Sequence, residues 1–162
     1  FTLIGEGWPN AIKLSNEIFD TADFIYSKSK NKKLINPILP GALSFFQKLK
    51  EQRIVCSVIS NDTEIGIKNF LTTNNLEGSI FQYWSCENNP KKPNPEAIHQ
   101  LCKTLNLQPT ECALIGDADS DLLMARQAGV ELVLGFTGGW NTTPSLTYQD
   151  HLINHWDELS FS

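Results

Sequence analysis

Residues 113–129 read Ala113-Leu114-Ile115-Gly116-Asp117-Ala118-Asp119-Ser120-Asp121-Leu122-Leu123-Met124-Ala125-Arg126-Gln127-Ala128-Gly129. A short apolar run, a glycine, three carboxylates and a helical pattern closed by glycine predict a strand that passes into a helix. Such a strand delivers oxygen ligands to the carboxyl edge of a sheet, where open α/β proteins bind their ligands. Hard cations such as Mg²⁺ take carboxylates there together with a substrate's phosphate.

Working outward, the chain from Pro37 onward alternates helical and strand patterns. Pro40-Gly41 opens a helix in which Ala42, Phe46 and Leu49 recur at i, i+4 and i+7. Residues 54–59 are nearly all apolar and predict a buried parallel strand. Asn61 or Asp62 is expected to cap the next helix, with Glu64 in its first turn and Ile67, Phe70 and Leu71 inward. A second strand is expected over 79–84. Asn94-Pro95 then starts a helix with Ala97, Ile98, Leu101, Cys102 and Leu105 inward. The third strand covers 113–115, and its helix ends at Gly129. Further strands are expected over 131–136 and 150–154, before a turn over 156–159. This alternation predicts an α/β fold, a parallel sheet with helices on its faces.

Residues 1–36 differ in character. They carry two helical patterns, over 9–20 and 21–30, and close in the lysine-rich Lys28-Ser29-Lys30-Asn31-Lys32-Lys33. Two domains are therefore expected, a helical segment over 1–36 and an α/β core over 37–162.

Composition narrows the classes of function. With 13 basic and 18 acidic residues the formal charge is -5, and 28–33 is the one basic cluster. Nucleic-acid binding, which needs a basic face, is not expected, and no apolar stretch reaches the length of a membrane span. The four cysteines, Cys56, Cys86, Cys102 and Cys112, show no CxxC pair. They read as reduced, mostly buried thiols of a cytoplasmic protein. His99, His151 and His155 read as structural or solvated. No glycine-rich phosphate loop follows any strand, which argues against a nucleotide-binding module.

Three polar sites follow expected strands: Ser60-Asn61, Lys91-Lys92-Pro93-Asn94-Pro95 and Gly116-Asp117…Asp121. In a parallel sheet these loops leave from one edge and can converge. A hydroxyl beside free amides at a helix N-terminus suits a phosphoryl oxygen. A lysine supplies a point positive charge, and paired aspartates hold a divalent cation. Singly, each has a plainer explanation: a turn and cap, a solvated loop, and an acidic first turn favoured by the helix dipole.

Together, Pro40-Gly41, Ser60-Asn61, Lys92-Pro93-Asn94-Pro95-Glu96, Gly116-Asp117, Asp121 and Ala128-Gly129 resemble the core of the haloacid dehalogenase (HAD) superfamily, in its phosphoglycolate-phosphatase-like branch. The resemblance covers about residues 36–159. It implies a HAD-like, Rossmannoid sheet with helices on both faces, residues 1–36 being the last part of an α-helical cap. It implies a Mg²⁺-dependent phosphomonoester hydrolase acting on a small phosphorylated metabolite through an aspartyl-phosphate. Ser60 would bond the phosphoryl group, assisted by the Asn61 amide. Lys92 would neutralise its charge and orient the nucleophile. Asp117 would bind Mg²⁺, and Asp121 would complete the metal shell or hold Lys92. Asp119, in the variable part of the motif, would be solvated or capping. The loop Thr137-Gly138-Gly139-Trp140 would border the same cleft.

The family's first motif, Asp-x-Asp-x-Thr, does not occur in these 162 residues. The nearest stretch, Thr2-Leu3-Ile4-Gly5-Glu6-Gly7, has glycine at both aspartate positions, and glycine is no nucleophile. In the family the strand bearing that motif lies between those ending at Ser60 and Asp117. Without it, two buried strands face a gap lined by unpaired backbone groups. The chain therefore reads as the C-terminal portion of a longer phosphatase, inactive alone, whose central strand comes from a preceding segment or a partner chain. The alternative is a non-catalytic phosphate-binding or regulatory protein that has lost its nucleophile.

Overall fold

The computed structural model describes residues 38–140 and 143–160. The helical patterns expected over 9–20 and 21–30, and the segment 1–36 that contains them, lie outside the described residues.

In chain order the elements are α1 (Ala42–Glu51), β1 (Ser57–Ile59), α2 (Glu64–Thr73), β2 (Gln82–Trp84), α3 (Glu96–Leu105), β3 (Ala113–Gly116), α4 (Asp119–Ala128), β4 (Leu132–Phe136) and β5 (His151–Ile153). Two 3₁₀ turns, Pro109–Glu111 and Trp156–Glu158, precede β3 and follow β5. The fold is α/β, and every pairing is parallel. The strands form two ladders among the described residues, β1–β2 and β3–β4–β5.

That division corrects the reading of 54–59 as one buried strand. The ladder begins only at Ser57, paired with Gln82. Ile54 and Val55 stay 44% and 52% exposed. Among the described residues β1 has a neighbour on one edge only, so nothing covers the other side of this apolar run. The second strand likewise shrinks from 79–84 to Gln82–Trp84, and Phe81 is 64% exposed.

The helix ends follow local chemistry. Thr63, and neither Asn61 nor Asp62, caps α2: its Oγ1 accepts the Gly66 N–H at 3.1 Å. The Asp62 carboxylate instead accepts the Thr63 N–H at 2.7 Å. At α3 the Asn94 Oδ1 accepts the Glu96 N–H at 2.9 Å, as the Asn-Pro signature predicts. Helix α4 stops at Gly129, whose φ of 80° belongs to the left-handed region that glycine enters without strain.

Alternating residues of the larger ladder bury opposite faces. Leu114 and Val133 join Ala97, Ile98 and Cys102 of α3 and Leu122, Met124 and Ala125 of α4. Ile115, Leu134 and Phe136 face the other way, toward Ile153 and Trp156. Phe136 stacks on Trp156 with ring centroids 4.6 Å apart, and Trp156 meets Phe45 of α1 at 5.0 Å. Helices thus flank both faces. On α1 the buried positions are Ala42, Phe45 and Leu49, with Phe46 half-buried against the cluster of Ile67, Leu71 and Leu76.

Asp150 fastens the ladder's far end. Its Oδ2 accepts the Val133 N–H at 2.8 Å, and its Oδ1 meets Arg126 Nη2 at 2.5 Å. Arg126 Nε also donates to the Tyr148 carbonyl at 2.7 Å. The Arg126 guanidinium, then the Val133 N–H, hold the Asp150 carboxyl below its ordinary value. A carboxylate depressed in the folded state stabilises the fold above its unfolded pKa, about 4. That contribution fades as pH falls through the folded value. Asp150→Asn should therefore lower the urea midpoint of the full-length protein at pH 7, and the difference should close below about pH 4. A difference independent of pH would rule out the charged contact.

Candidate functional site

The site is built around Gly116 and Asp121. A methyl group on Gly116 would sit 2.6 Å from the Asp121 Cβ, closer than carbon atoms approach. Glycine at the end of β3 therefore lets the first turn of α4 fold back over the strand. Asp121 is 9% exposed in consequence, and its N–H donates to the Ala118 carbonyl at 2.9 Å.

The buried carboxylate has a cation. Lys92 Nζ lies 2.7 Å from Asp121 Oδ1, with side chains only 12% and 13% exposed. Lys92 comes from the loop between β2 and α3, where Trp84 Nε1 donates to the Pro90 carbonyl at 3.3 Å. Asn88 Oδ1 accepts from both the N–H and the hydroxyl of buried Ser85, at 2.8 and 3.1 Å. A lysine from the β1–β2 side and an aspartate from the β3–β4–β5 side thus meet. The carboxyl ends of both ladders converge there, as the parallel-sheet reading expects.

Ser60 continues the smaller ladder at the same end: its N–H donates to the Trp84 carbonyl at 2.9 Å. Its Oγ accepts the Asp62 N–H at 3.0 Å, leaving the hydroxyl proton to donate elsewhere. Asn61 is exposed beside it. Among the described residues neither is hydrogen-bonded to Lys92, Asp117 or Asp121, so only Lys92 and Asp121 are in direct contact.

The three carboxylates point to three uses. Asp117 is exposed at the mouth of β3. Asp121 holds Lys92. Asp119 is half-buried and does not cap α4; it makes a tertiary contact that the expectation did not include, its Oδ1 accepting the Thr147 N–H at 2.8 Å and its Oδ2 the Thr147 hydroxyl at 2.6 Å. It anchors the segment leading into β5. No spacing rule links positions 119 and 147, and no signal in the sequence pointed to the pair. The loop Thr137-Gly138-Gly139-Trp140 is tied to β5, where the Thr137 N–H and Oγ1 both donate to the Ile153 carbonyl, at 2.8 and 3.2 Å. The histidines stand apart. His99 Nε2 lies 3.4 Å from the Ala128 carbonyl, and His155 Nδ1 accepts the Asp157 N–H at 3.2 Å.

Among the described residues no three His, Cys, Asp or Glu side chains gather into a cage for a metal. A Mg²⁺ held by one or two carboxylates, water and a substrate's phosphate needs no such cage. The hard oxygen of Asp117, open to solvent at the end of β3, suits it.

Residues 10–134 match the model of the haloacid dehalogenase-like hydrolases. The chain belongs to that family. It is 27% identical over 128 residues to a phosphoglycolate phosphatase of Vibrio vulnificus strain CMCP6, covering 78% of this chain and 54% of the relative. A phosphoglycolate phosphatase of Psychrobacter arcticus is 25% identical over 144 residues, covering 86% and 61%. Among solved structures, a predicted phosphoglycolate phosphatase from Haemophilus somnus superposes with a TM-score of 0.75 at 21% identity, over 85% of this chain and 62% of that one. A haloacid dehalogenase-like hydrolase from Bacteroides fragilis gives 0.70 at 25% identity, over 93% and 71%. The chain spans about half the length of the curated relatives it matches. The HAD-like fold and the phosphoglycolate-phosphatase-like resemblance therefore both hold.

Removing one member of a nearly buried ion pair leaves the other charge without compensation. Lys92→Met and Asp121→Leu should each cost the full-length protein about 3–5 kcal/mol in urea unfolding. The double variant should cost clearly less than their sum. Additive losses would show that the pair contributes nothing as a pair.

Proposed function

We propose that this chain carries the phosphate- and metal-binding part of a Mg²⁺-dependent phosphomonoester hydrolase. The observation that carries the reading is the contact between Lys92 and Asp121, a cation and a carboxylate brought from separate ladders to the end of β3. Held by Asp121, Lys92 cannot swing into solvent, and its remaining ammonium protons stay available to a phosphoryl oxygen. Ser60, with a free hydroxyl proton, would donate to a second oxygen, and the Asn61 N–H to the same group. Asp117 would hold the Mg²⁺, with Asp121 the second candidate ligand through the oxygen that Lys92 leaves free. When bound, the cation supplies charge neutralisation for the phosphate and orients it for in-line displacement.

The attacking group is the part these residues do not supply. An aspartyl-phosphate route needs a carboxylate nucleophile and a second carboxylate to manage protons. We infer that both arrive on a strand between β1 and β3, from a preceding segment or a partner chain. Each of those strands has a ladder partner on one side only among the described residues. A strand inserted there would satisfy both open edges and place its carboxyl end beside Ser60 and Asp117. No helix among the described residues is long and apolar enough to cross a membrane, and the free thiols fit a reducing, cytoplasmic setting.

The names of the relatives make 2-phosphoglycolate the first substrate to try, with p-nitrophenyl phosphate as a generic probe. Full-length protein should hydrolyse the probe with Mg²⁺ and fall to background in EDTA. Lys92→Ala and Asp117→Asn should each lower kcat/KM by about 10²-fold or more, the scale of losing one charge-stabilising contact. Turnover that survives both EDTA and Asp117→Asn would overturn the metal assignment. Phosphate binding without turnover would instead support the non-catalytic reading.

A further inference from the structure

Two thiols of the described residues stand side by side outside the proposed site. Cys102, in the penultimate turn of α3, and Cys112, immediately before β3, place their sulfurs 3.7 Å apart. We propose that Cys102 and Cys112 form a reversible intramolecular disulfide when the protein meets a small-molecule disulfide oxidant such as glutathione disulfide.

The connection between the two cysteines is a constructed turn that sets this distance. Asn106 takes a left-handed φ of 55° at the end of α3, and the Leu107 N–H returns to the Cys102 carbonyl at 2.9 Å. The 3₁₀ turn Pro109–Glu111 follows, closed reciprocally by Gln108 and Glu111. The Glu111 carboxylate accepts the Gln108 N–H at 2.8 Å, and the Glu111 N–H reaches the Gln108 carbonyl at 2.9 Å. The Cys112 thiol donates to the Gln108 carbonyl at 3.4 Å and its N–H to the Pro109 carbonyl at 3.0 Å. Both sulfurs are therefore held facing each other at 3.7 Å, against the bonding distance of about 2 Å.

The two sites differ in access, which orders the steps. Cys112 is half-buried, whereas Cys102 is 6% exposed. Burial, then the neighbouring Cys112, push the Cys102 thiol up to about 11, so Cys112 is the group that meets the oxidant first. The Cys112 thiolate attacks one sulfur of glutathione disulfide. The oxidant's S–S bond breaks and one glutathione leaves, its thiolate taking up the proton that Cys112 gave to solvent. Cys102 then loses its proton and attacks the Cys112 sulfur, expelling the second glutathione. In balance, two protein thiols are oxidised, one disulfide is reduced to two thiols, and both protons end on glutathione.

The bond would staple α3 to the root of β3. Those are the two elements whose opposite ends carry the Lys92 loop and the Asp121 turn, so it would lock their mutual placement without touching either residue. Among the described residues the Cys56 sulfur meets the Ile54 carbonyl, at 3.9 Å, and no second sulfur is in contact with it.

Full-length protein is incubated with glutathione disulfide, free thiols are blocked with iodoacetamide, and peptides are mapped by mass spectrometry without reduction. The expected product is a Cys102–Cys112 cross-linked peptide with Cys56 and Cys86 alkylated, lost on adding dithiothreitol. Cys102→Ala should stop at a glutathione adduct on Cys112. The proposal fails if wild-type protein keeps that adduct without cross-linking, if cross-links scatter over all four cysteines, or if every cysteine is alkylated. The mapping on wild-type protein decides the matter even where the variant folds poorly.

Discussion

Two parallel ladders that share no hydrogen bond among the described residues are joined at one end by an ion pair, Lys92 with Asp121 at 2.7 Å. Burying two charges costs several kcal/mol in desolvation, and their attraction repays it only with good geometry. A well-packed apolar pair would serve stability as well or better. What the ion pair provides is position: a lysine from one ladder is fixed against the strand end of the other. Everything proposed for the site depends on that placement, since a lysine free to sample rotamers would neutralise a phosphate poorly.

The apolar core explains why the ladders stay together at all. Ile59 and Trp84 of the smaller ladder pack on the same cluster as Ile98, Leu122 and Val133. Helix α3 is the shared surface, reached from β2 through the Lys92 loop and continuing into β3 through the 3₁₀ turn. The hydrophobic effect is non-directional, so it brings the two halves into contact without fixing their register. The directional links at the two ends of α3 supply what it leaves open: the Lys92–Asp121 pair at one, and the constructed turn before Cys112 at the other.

How much of this was legible depended on whether the signal was local. The strand–glycine–acid–helix run at 113–129 gave β3, α4 and its Gly129 stop correctly, because each rests on propensity and capping within a few residues. The α3 start followed from Asn94-Pro95 for the same reason. The reading of 54–59 as a buried strand failed because apolar composition predicts burial only where a neighbour exists to cover it, and Ile54 and Val55 have none among the described residues. The α2 cap was misplaced by one or two positions, although Thr63 directly before Glu64 is itself a capping signature. Lys92 and Asp121 were each marked as site residues, yet their contact was only one of two readings, since a spacing of 29 residues carries no geometric rule.

The acidic run itself shows why a motif cannot be read as one ligand cluster. Asp117 lies at the end of a strand, Asp119 and Asp121 in the first turn of a helix, where positions two apart are turned by about 200°. Asp119 and Asp121, so placed, point to different partners. The three carboxylates diverge: Asp117 to solvent, Asp119 to Thr147, Asp121 to Lys92. Partition also limits repulsion, because two of the three charges are met by donors and all three sit near the positive end of the α4 dipole. A motif of this shape leaves the Asp117 carboxylate open to solvent and the second oxygen of Asp121 not taken by Lys92. The proposed strand would lie along the open edges of β1 and β3, its carboxyl end beside those two carboxylates.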